Sequence, residues 1–277
     1  MAADKYTAVW VSHSSMGDFL KCPRAYFLHN VYKDPKTGRK VNMVSPALAL
    51  GQAVHEVLEN LSHFKSEERV KECTLEKLHE AWTKVAGKKG GFTDQAREKE
   101  AKARAEAMIQ RVIDNPGIIL EKAIKLPQEL PNYFLSEDEN IILCGKIDWL
   151  THVTGDDSLR VLDFKTGKYD ENGESLQLPI YQLLLNNIQD RKVSGASYWY
   201  LDRDNEPVSV PLPSLEDSYD RVIEAARKVK SARDSKTFLC PQGERGCFAC
   251  QPFEQILKGN AYYVGVGEYN QDLYIVD

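Results

Sequence analysis

The segment 161–168 (VLDFKTGK) constrains the fold of this chain more than any other stretch. A short apolar run followed by Thr-Gly predicts a β-strand that ends at this point. Because side chains alternate between the two faces of a strand, Asp163 and Lys165 are predicted to share one face while Phe164 points to the other. A carboxylate can hold a hard divalent cation, and an ammonium group beside it can position or deprotonate a water molecule and offset negative charge. The pattern is therefore typical of metal-assisted hydrolysis.

The neighbouring sequence decides whether this acid-x-lysine triplet has a function. Similar triplets occur at 34–36, 100–102, 190–192 and 234–236, but none of them follows an apolar strand. Residues 141–150 predict another strand with Asp148 near its end, and the turn-forming residues 154–157 separate the two runs. The resulting hairpin would bring Asp148 and Asp163 together at one end of a sheet, where Mg²⁺ or Mn²⁺ would bind. The alternative is a hairpin whose acids are solvated turn residues.

Composition indicates an ordinary globular protein of one or two domains. The chain has 277 residues, of which 42% are hydrophobic and 28% charged. No apolar run approaches the length of about 18 residues that a membrane span requires. The first residues lack a secretory signal, so a cytoplasmic location and reduced cysteines are expected. The net charge of −5 by itself argues against binding to nucleic acid.

Helical patterns dominate the first half of the chain. Cap residues at 12–15 predict a helix that breaks after Lys21 or restarts at Pro23, and 33–46 is predicted to be a polar loop. Residues 47–64 predict an amphipathic helix that contains His55. A histidine in such a helix is most often a core or boundary residue. Residues 65–125 are charged and helical, with a glycine-rich interruption at 87–91.

The second half begins with a helix at 176–188, which places Gln177 and Tyr181 one turn apart on the same face. Such a pair could reach a metal-bound water or a phosphate. A boundary tyrosine beside an exposed glutamine is the simpler interpretation. A strand at 196–201, an edge strand at 209–212 and a basic helix at 219–233 follow.

Three cysteines close to the carboxyl end predict a metal site. Cys247 and Cys250 are separated by two residues and can hold one metal, and Cys240 lies nearby. Three thiolates need a fourth ligand, for which Cys22 is the leading candidate, and this would tie the N-terminal helix to the C-terminal region. Zinc and an iron–sulfur cluster both suit four thiolates. A chance group of free thiols is the alternative.

Taken together, these motifs resemble the PD-(D/E)XK nuclease superfamily, specifically its RecB-like branch, which includes the AddB nuclease domain and the CRISPR-associated iron–sulfur exonucleases. The resemblance covers roughly residues 14–253, and its pieces occur in the family order. These pieces are the N-terminal helix with Cys-Pro at 14–28, Gly-x-x-x-His at 51–55, Gly-x-x-Asp at 145–148, Asp-x-Lys-Thr-Gly at 163–167 and Gln-x-x-x-Tyr at 177–181.

The resemblance implies an α/β fold with a central mixed sheet flanked by helices, a restriction-endonuclease-like core. It also implies a single nuclease domain over 1–277, with a helical insertion at about 62–125 and a cysteine cluster region at about 237–257. His55, Asp148, Asp163 and the Phe164 carbonyl would hold Mg²⁺ or Mn²⁺. Lys165 would be the catalytic lysine, positioned with the DNA by Gln177 and Tyr181. The cysteines Cys22, Cys240, Cys247 and Cys250 would bind a [4Fe–4S] cluster, with zinc as the alternative.

The expected activity is that of a DNA exonuclease in recombination, repair or end processing. The chain has no Gly-x4-Gly-Lys-Ser/Thr loop, so unwinding driven by ATP would need a helicase or recombination partner. A non-catalytic DNA-binding or scaffolding subunit and a zinc-stabilised interaction module are the rival interpretations.

Two positions depart from the family pattern. Ile147 stands where the superfamily name has proline. In the familiar cysteine cluster a further cysteine follows the Cys-x2-Cys pair, at the position of Ile256, whereas here Cys240 precedes the pair.

Overall fold

A computed structural model describes residues 4–276; positions 1–3 and 277 of the predicted domain lie outside the described residues. The ten strands in this range are β1 (Val9–Val11), β2 (Val41–Met43), β3 (Asn132–Ser136), β4 (Ile141–Cys144), β5 (Trp149–Val153), β6 (Ser158–Lys165), β7 (Val193–Tyr200), β8 (Val208–Val210), β9 (Tyr262–Val266) and β10 (Asp272–Ile275). The nine α-helices in the same range are α1 (His13–Lys21), α2 (Pro23–Tyr26), α3 (Pro46–Leu61), α4 (Arg69–Glu72), α5 (Leu75–Val85), α6 (Gln95–Asp114), α7 (Gln177–Ile188), α8 (Leu215–Ser235) and α9 (Gln251–Leu257). None of these helices combines the length and the apolar character needed to cross a membrane.

The described chain forms two compact units, and both are discontinuous in sequence. Unit 1 consists of 4–44, 130–145 and 213–276, and unit 2 consists of 45–129 and 146–212.

Unit 2 is built on a mixed four-stranded sheet in the order β5-β6-β7-β8. Strand β6 pairs antiparallel with β5 and parallel with β7, and β8 lies at the edge. Phe164 packs with Trp149 and Trp199 in a buried cluster that also includes apolar residues of α3, α5 and α6. The adjacent residues Asp163 and Lys165 instead contact Gln177 on α7. The two faces of β6 therefore have the separate roles that the alternation of its side chains predicts.

Unit 1 contains two small sheets. In one, β4 lies between β1, which is parallel to it, and β3, which is antiparallel. In the other, β10 lies between the parallel strand β2 and the antiparallel strand β9. Helices α1, α2, α8 and α9 complete the unit.

Side-chain caps fix where several helices begin. Ser12 and Ser15 form a reciprocal capping box at the start of α1. The Ser45 hydroxyl accepts a hydrogen bond from the Leu48 N–H at the start of α3, where Pro46 occupies the first turn. A break between α1 and α2 falls at Cys22, so the predicted restart at Pro23 is observed.

The predicted α/β class with mixed sheets flanked by helices is confirmed. Two local predictions are wrong. Residues 141–150 form two strands, β4 and β5, which belong to different sheets, because the chain leaves the extended conformation at 145–148. The segment 33–46, predicted to be a polar loop, contains β2, which pairs with β10 across more than 200 residues of sequence. Such a long-range pairing has no local signal.

A buried arginine fixes the beginning of α4 in unit 2. Arg69 is only 4% exposed. Its Nη1 donates to the carbonyl oxygens of Ile119 and Glu121 at 2.6 and 2.7 Å, and its Nε donates to the Phe64 carbonyl at 3.1 Å. The guanidinium also lies 5.1 Å from the ring centroid of Trp149. One side chain thus satisfies three backbone acceptors.

We expect Arg69→Met to lower the free energy of unfolding by about 3 kcal/mol, since it leaves buried acceptors without donors. Urea denaturation followed by circular dichroism would measure the change. Arg97→Met is the matched control, because the Arg97 side chain is 74% exposed on α6 and pairs with nearby Asp94. Equal stabilities of the two variants would contradict the role given to Arg69.

Candidate functional site

The antiparallel pairing of β5 and β6 brings two acids together at one end of the unit 2 sheet. Asp148 directly precedes β5, and Asp163 lies near the end of β6. The backbone N–H of Phe164 donates to Asp148 Oδ2 at 3.1 Å, which fixes the orientation of that carboxylate. The hairpin contact expected from the sequence is present, with Asp148 at the start of its strand.

Asp163 is the centre of a buried hydrogen-bond network and is 2% exposed. Its Oδ1 accepts from Gln177 Nε2 at 2.7 Å and from the Tyr181 hydroxyl at 3.1 Å. Its Oδ2 lies 2.9 Å from Lys165 Nζ. Gln177 Nε2 also donates to the Tyr181 oxygen at 3.0 Å, while Gln177 Oε1 accepts from Lys165. Gln177, on α7, therefore contacts both members of the acid-x-lysine pair, and Tyr181, one turn further along, contacts Asp163 and Gln177.

Lys165 is held between two carboxylates. Its Nζ is 2.9 Å from Asp163 and 2.8 Å from Glu171 Oε2, and it lies 4.8 Å from the ring centroid of Tyr198. Burial alone would lower the pKa of Lys165, but the charge of Asp163 and the hydrogen bond to Glu171 raise it above its usual value. The side chain is therefore an ammonium group at neutral pH, suited to donating hydrogen bonds and offsetting negative charge.

A second group of ligand atoms lies beside Asp148. His55 Nδ1 is 3.4 Å from Asp148 Oδ2 and 3.9 Å from Glu59 Oε1. One ligand atom from each of these three residues lies within 4.8 Å of the other two. His55 and Glu59 are four residues apart on α3, so they share a face of that helix. Glu59 also pairs with Lys146.

Gly51 allows α3 to approach the end of β6. A Cβ atom at this position would lie 3.2 Å from Thr166 Oγ1, closer than most such contacts. The small residue therefore lies where the helix passes the Thr-Gly turn. His55 is one turn further along the same helix.

The electrostatics of these side chains fit a cation site. Burial, followed by the charge of Asp163, raises the pKa of Asp148 well above its usual value. Burial also lowers the pKa of His55, which favours the neutral imidazole that ligates metals. Two carboxylates and an imidazole supply the oxygen and nitrogen donors that suit Mn²⁺, and the oxygen donors also suit Mg²⁺. The residues therefore fit a divalent cation.

All the site residues predicted on the catalytic side lie in unit 2, but they form two adjoining groups. His55 and Asp148 belong to the group with Glu59, whereas the oxygens of Asp163 are engaged by Lys165, Gln177 and Tyr181. Phe164 links the groups, since its N–H binds Asp148 and its ring lies 6.4 Å from the His55 ring.

The four predicted cysteine ligands come together in unit 1. The sulfur atoms of Cys22, Cys240, Cys247 and Cys250 all lie within 4.8 Å of one another, and all four residues are buried. The sulfurs of Cys247 and Cys250 are 3.9 Å apart. Thiolates bound at about 2.3 Å to one tetrahedral zinc ion lie about 3.8 Å from each other. The group can therefore hold a metal, and it joins the N-terminal to the C-terminal region.

The environments of these thiols differ. Burial raises the pKa of Cys22 to about 12. Burial acts in the same direction on Cys247, but hydrogen bonds from backbone N–H groups and neighbouring thiols overcome it and lower the pKa to about 7. Cys73 and Cys144 are also buried, but neither belongs to this group.

Comparison with known proteins agrees with this arrangement. The family model described as the PD-(D/E)XK nuclease superfamily matches residues 10–253. The chain belongs to the PD-(D/E)XK nuclease superfamily. The match covers both acids, the lysine and all four clustered cysteines, and membership indicates a metal-dependent nuclease. No curated protein matches the chain.

Two acidic residues of the candidate site, Glu59 and Glu171, were not predicted from the sequence. Glu59 follows His55 by four residues, a spacing that places both on one helix face and could have signalled a shared ligand role. Glu171 lies in an irregular segment after β6 and has no comparable signal, because its contact with Lys165 depends on how that segment folds back.

We expect Cys22→Ser to lose most of the bound metal and about 4 kcal/mol of stability, as for other crosslinks that close long loops. Metal content would be measured by inductively coupled plasma mass spectrometry and stability by denaturant unfolding. Cys144→Ser is the control, because Cys144 is also buried in unit 1 but is outside the group. Full metal content in Cys22→Ser would remove Cys22 from the ligand set.

Proposed function

We propose that this protein is a metal-dependent DNA exonuclease of the RecB-like branch that hydrolyses phosphodiester bonds. The observation that carries the proposal is the contact of Asp163 and Lys165 with Gln177 and Tyr181, next to the group formed by His55, Glu59 and Asp148. A scaffold has no need for a buried ammonium between two carboxylates, because such an arrangement is costly to desolvate. Digestion from DNA ends is favoured by the motif order that resembles exonucleases of this branch.

In the proposed reaction Lys165, the two carboxylates beside it and Gln177 have separate roles. Lys165 donates hydrogen bonds from its ammonium group. In the complex with DNA it orients the attacking water and offsets negative charge on the phosphate. Asp163 and Glu171 hold that ammonium in place. Gln177 binds both members of the pair through the two ends of its amide, so it fixes their relative orientation.

Tyr181 completes this support. Burial and the charge of Asp163 raise the pKa of Tyr181 well above its usual value, so the hydroxyl remains a donor to Asp163. Because Gln177 and Tyr181 act through Asp163 and Lys165, we propose them as positioning residues.

The proposed ligands of Mg²⁺ or Mn²⁺ are His55, Glu59, Asp148, Asp163 and the Phe164 carbonyl. A divalent cation bound there would supply Lewis-acid stabilisation of the negative charge that develops on the phosphate. The backbone N–H of Phe164 keeps Asp148 oriented for this role.

The wider setting of the activity is part of the same proposal. Similarity to the AddB nuclease domain favours a role in recombination, repair or end processing in the cytoplasm, with a helicase or recombination protein as partner. We also propose that the chain works as one nuclease domain, with the helical segment at about 62–125 as an insertion and the region at about 237–257 as its cysteine cluster.

Two cofactors are candidates for the four cysteines. The family resemblance favours a [4Fe–4S] cluster, for which four thiolates are the usual ligands. The sulfur spacing within 4.8 Å favours one tetrahedral ion such as zinc. Anaerobically purified protein that is brown, with about four irons per chain, would establish the cluster. Colourless protein with one zinc would establish the single ion.

We expect Asp163→Asn and Lys165→Met each to lower the rate of DNA cleavage by at least about 10³-fold, because both residues act on the transition state. The measurement is the Mn²⁺-dependent degradation of linear DNA, beside circular dichroism to verify folding. Lys168→Met is the matched control, since Lys168 is an exposed lysine only three residues away. Cleavage by wild-type protein with circular DNA left intact would support an exonuclease. Cleavage at the wild-type rate by both variants would contradict the catalytic roles proposed for Asp163 and Lys165. Inactive wild-type protein would favour the scaffolding alternative.

We expect His55→Ala and Glu59→Gln each to raise the Mn²⁺ concentration needed for half-maximal activity at least about tenfold, because each substitution removes a proposed metal ligand. Isothermal titration with Mn²⁺ in the absence of DNA would show the same loss of affinity. Glu56→Gln is the control, since Glu56 lies on the same helix but pairs with Lys84. If the Glu59→Gln titration matches that of wild-type protein, Glu59 is not a ligand.

A further inference from the structure

Unit 1 contains a cavity of about 770 Å³, within the size range typical of small-molecule sites. Its lining is divided between apolar and charged side chains. The apolar residues are Phe27, Leu28, Val31, Phe238 and Leu257, and the charged residues are Arg24, Arg233, Lys236 and Glu254.

Aromatic rings form one part of this lining. Phe27 and Phe238 are stacked, with centroids 4.9 Å apart and an angle of 29° between the rings. Tyr26 continues the group at 6.2 Å from Phe238. Phe27 and Phe238 are each half-buried, so part of each ring remains accessible to a ligand. A flat aromatic group can stack on such a surface.

The charged part of the lining has an excess of positive charge. Arg24 is neutralised by Glu254, whose Oε1 is 2.8 Å from Arg24 Nη1. Arg233 and Lys236 are exposed, and among residues 4–276 neither has a carboxylate within 4.0 Å. The Arg233 guanidinium donates a hydrogen bond from Nη1 to the Tyr26 hydroxyl oxygen at 3.4 Å. Two cations that form no ion pair within residues 4–276 therefore lie beside the aromatic rings.

A further lysine adds to this positive region. Burial, and then the charges of Arg233 and Lys33, lower the pKa of Lys40. The mutual repulsion of these cations is unfavourable in the free protein. An anion bound among them would relieve it.

We propose that this cavity binds a nucleotide, with its base stacked on the Phe27–Phe238 pair and its phosphate beside Arg233 and Lys236. Stacking on aromatic side chains and contact between phosphate and basic residues are the two interactions by which proteins hold single nucleotides of a strand. An apolar ligand would not use the cations, and inorganic phosphate would not use the rings. A nucleotide uses both.

The nucleotide can come from two sources with the same chemistry. It can be a free nucleoside monophosphate, or it can be one unit of single-stranded DNA. The site is made entirely of unit 1 residues and does not depend on the cation or on Lys165, so it goes beyond the proposed nuclease activity.

The test measures binding without added divalent cation, so that cleavage does not interfere. Full-length protein is titrated with dTMP, with inorganic phosphate and with fluorescently labelled single-stranded dT10, by calorimetry or fluorescence anisotropy. Binding of dTMP that is tighter than that of phosphate supports the free nucleotide as ligand. Binding of dT10 without binding of dTMP supports the strand as the source. If wild-type protein binds neither dTMP nor dT10, the proposal is overturned.

Substitutions then locate the site. Arg233→Gln and Lys236→Gln are each expected to weaken binding about tenfold through loss of charge-assisted phosphate contacts. Phe238→Leu is expected to weaken it about five- to tenfold through loss of stacking, whereas Phe238→Tyr retains it. Lys228→Gln is the matched control, because Lys228 also lies on α8 but pairs with Glu224 and does not line the cavity.

Thermal unfolding of each variant verifies that it is folded. The cavity assignment is overturned if the binding affinity equals that of wild-type protein in all three variants, Arg233→Gln, Lys236→Gln and Phe238→Leu. The nuclease proposal would still stand in that case if linear DNA is cleaved when Mn²⁺ is added. Conversely, suppose that wild-type protein fails to cleave DNA while the three variants lose binding of dTMP or dT10. That result would support the cavity assignment and reject the nuclease proposal.

Discussion

Repulsion between Asp148 and Asp163 is the constraint around which unit 2 is organised. Both carboxylates are held at one end of the same pair of strands, and the pKa of Asp148 is raised by burial and by the charge of its neighbour. Folding must therefore supply positive charge or hydrogen-bond donors at this point. The structure supplies Lys165, the Gln177 amide and the Tyr181 hydroxyl to Asp163, and the Phe164 N–H to Asp148. The remaining excess of negative charge faces the imidazole of His55 and suits a cation.

The scaffold beneath these groups is a buried apolar cluster. Phe164, between Asp163 and Lys165 in sequence, turns its ring to the opposite face and packs against two tryptophans. The same cluster buries α3, the helix that carries His55 and Glu59. The spacing of the polar groups is therefore set by core packing, which tolerates little displacement because protein interiors are densely filled. The acid-x-lysine triplet at 163–165 differs in this respect from the four other triplets in the chain, none of which lies in a strand.

Sequence patterns could predict the parts of this arrangement that depend on local spacing. The alternation of β6, the one-turn separation of Gln177 and Tyr181 and the Cys-x2-Cys pair are all short-range patterns, and each leads to the geometry observed. The strand boundary within 141–150 was missed because Gly145, Lys146 and Asp148, which interrupt its apolar residues, do not by themselves reveal that the chain changes sheets there. Strand β2 was missed because its partner, β10, lies near the other end of the chain. Glu171 was missed for a similar reason, as its meeting with Lys165 depends on a segment without regular structure.

The position of Cys22 has a consequence for how the protein is made. More than 200 residues separate it from Cys240, the first of its three companions in the four-cysteine group. At translation rates of about 5–20 residues per second, the N-terminal thiol leaves the ribosome roughly 10 to 45 seconds before the group can be assembled. During that interval the nascent chain carries the Cys22 thiol without its three partners from the C-terminal region. Assembly of the four-cysteine group therefore follows the synthesis of residues 240–250, and a premature stop before residue 240 leaves Cys22 without the other three thiols.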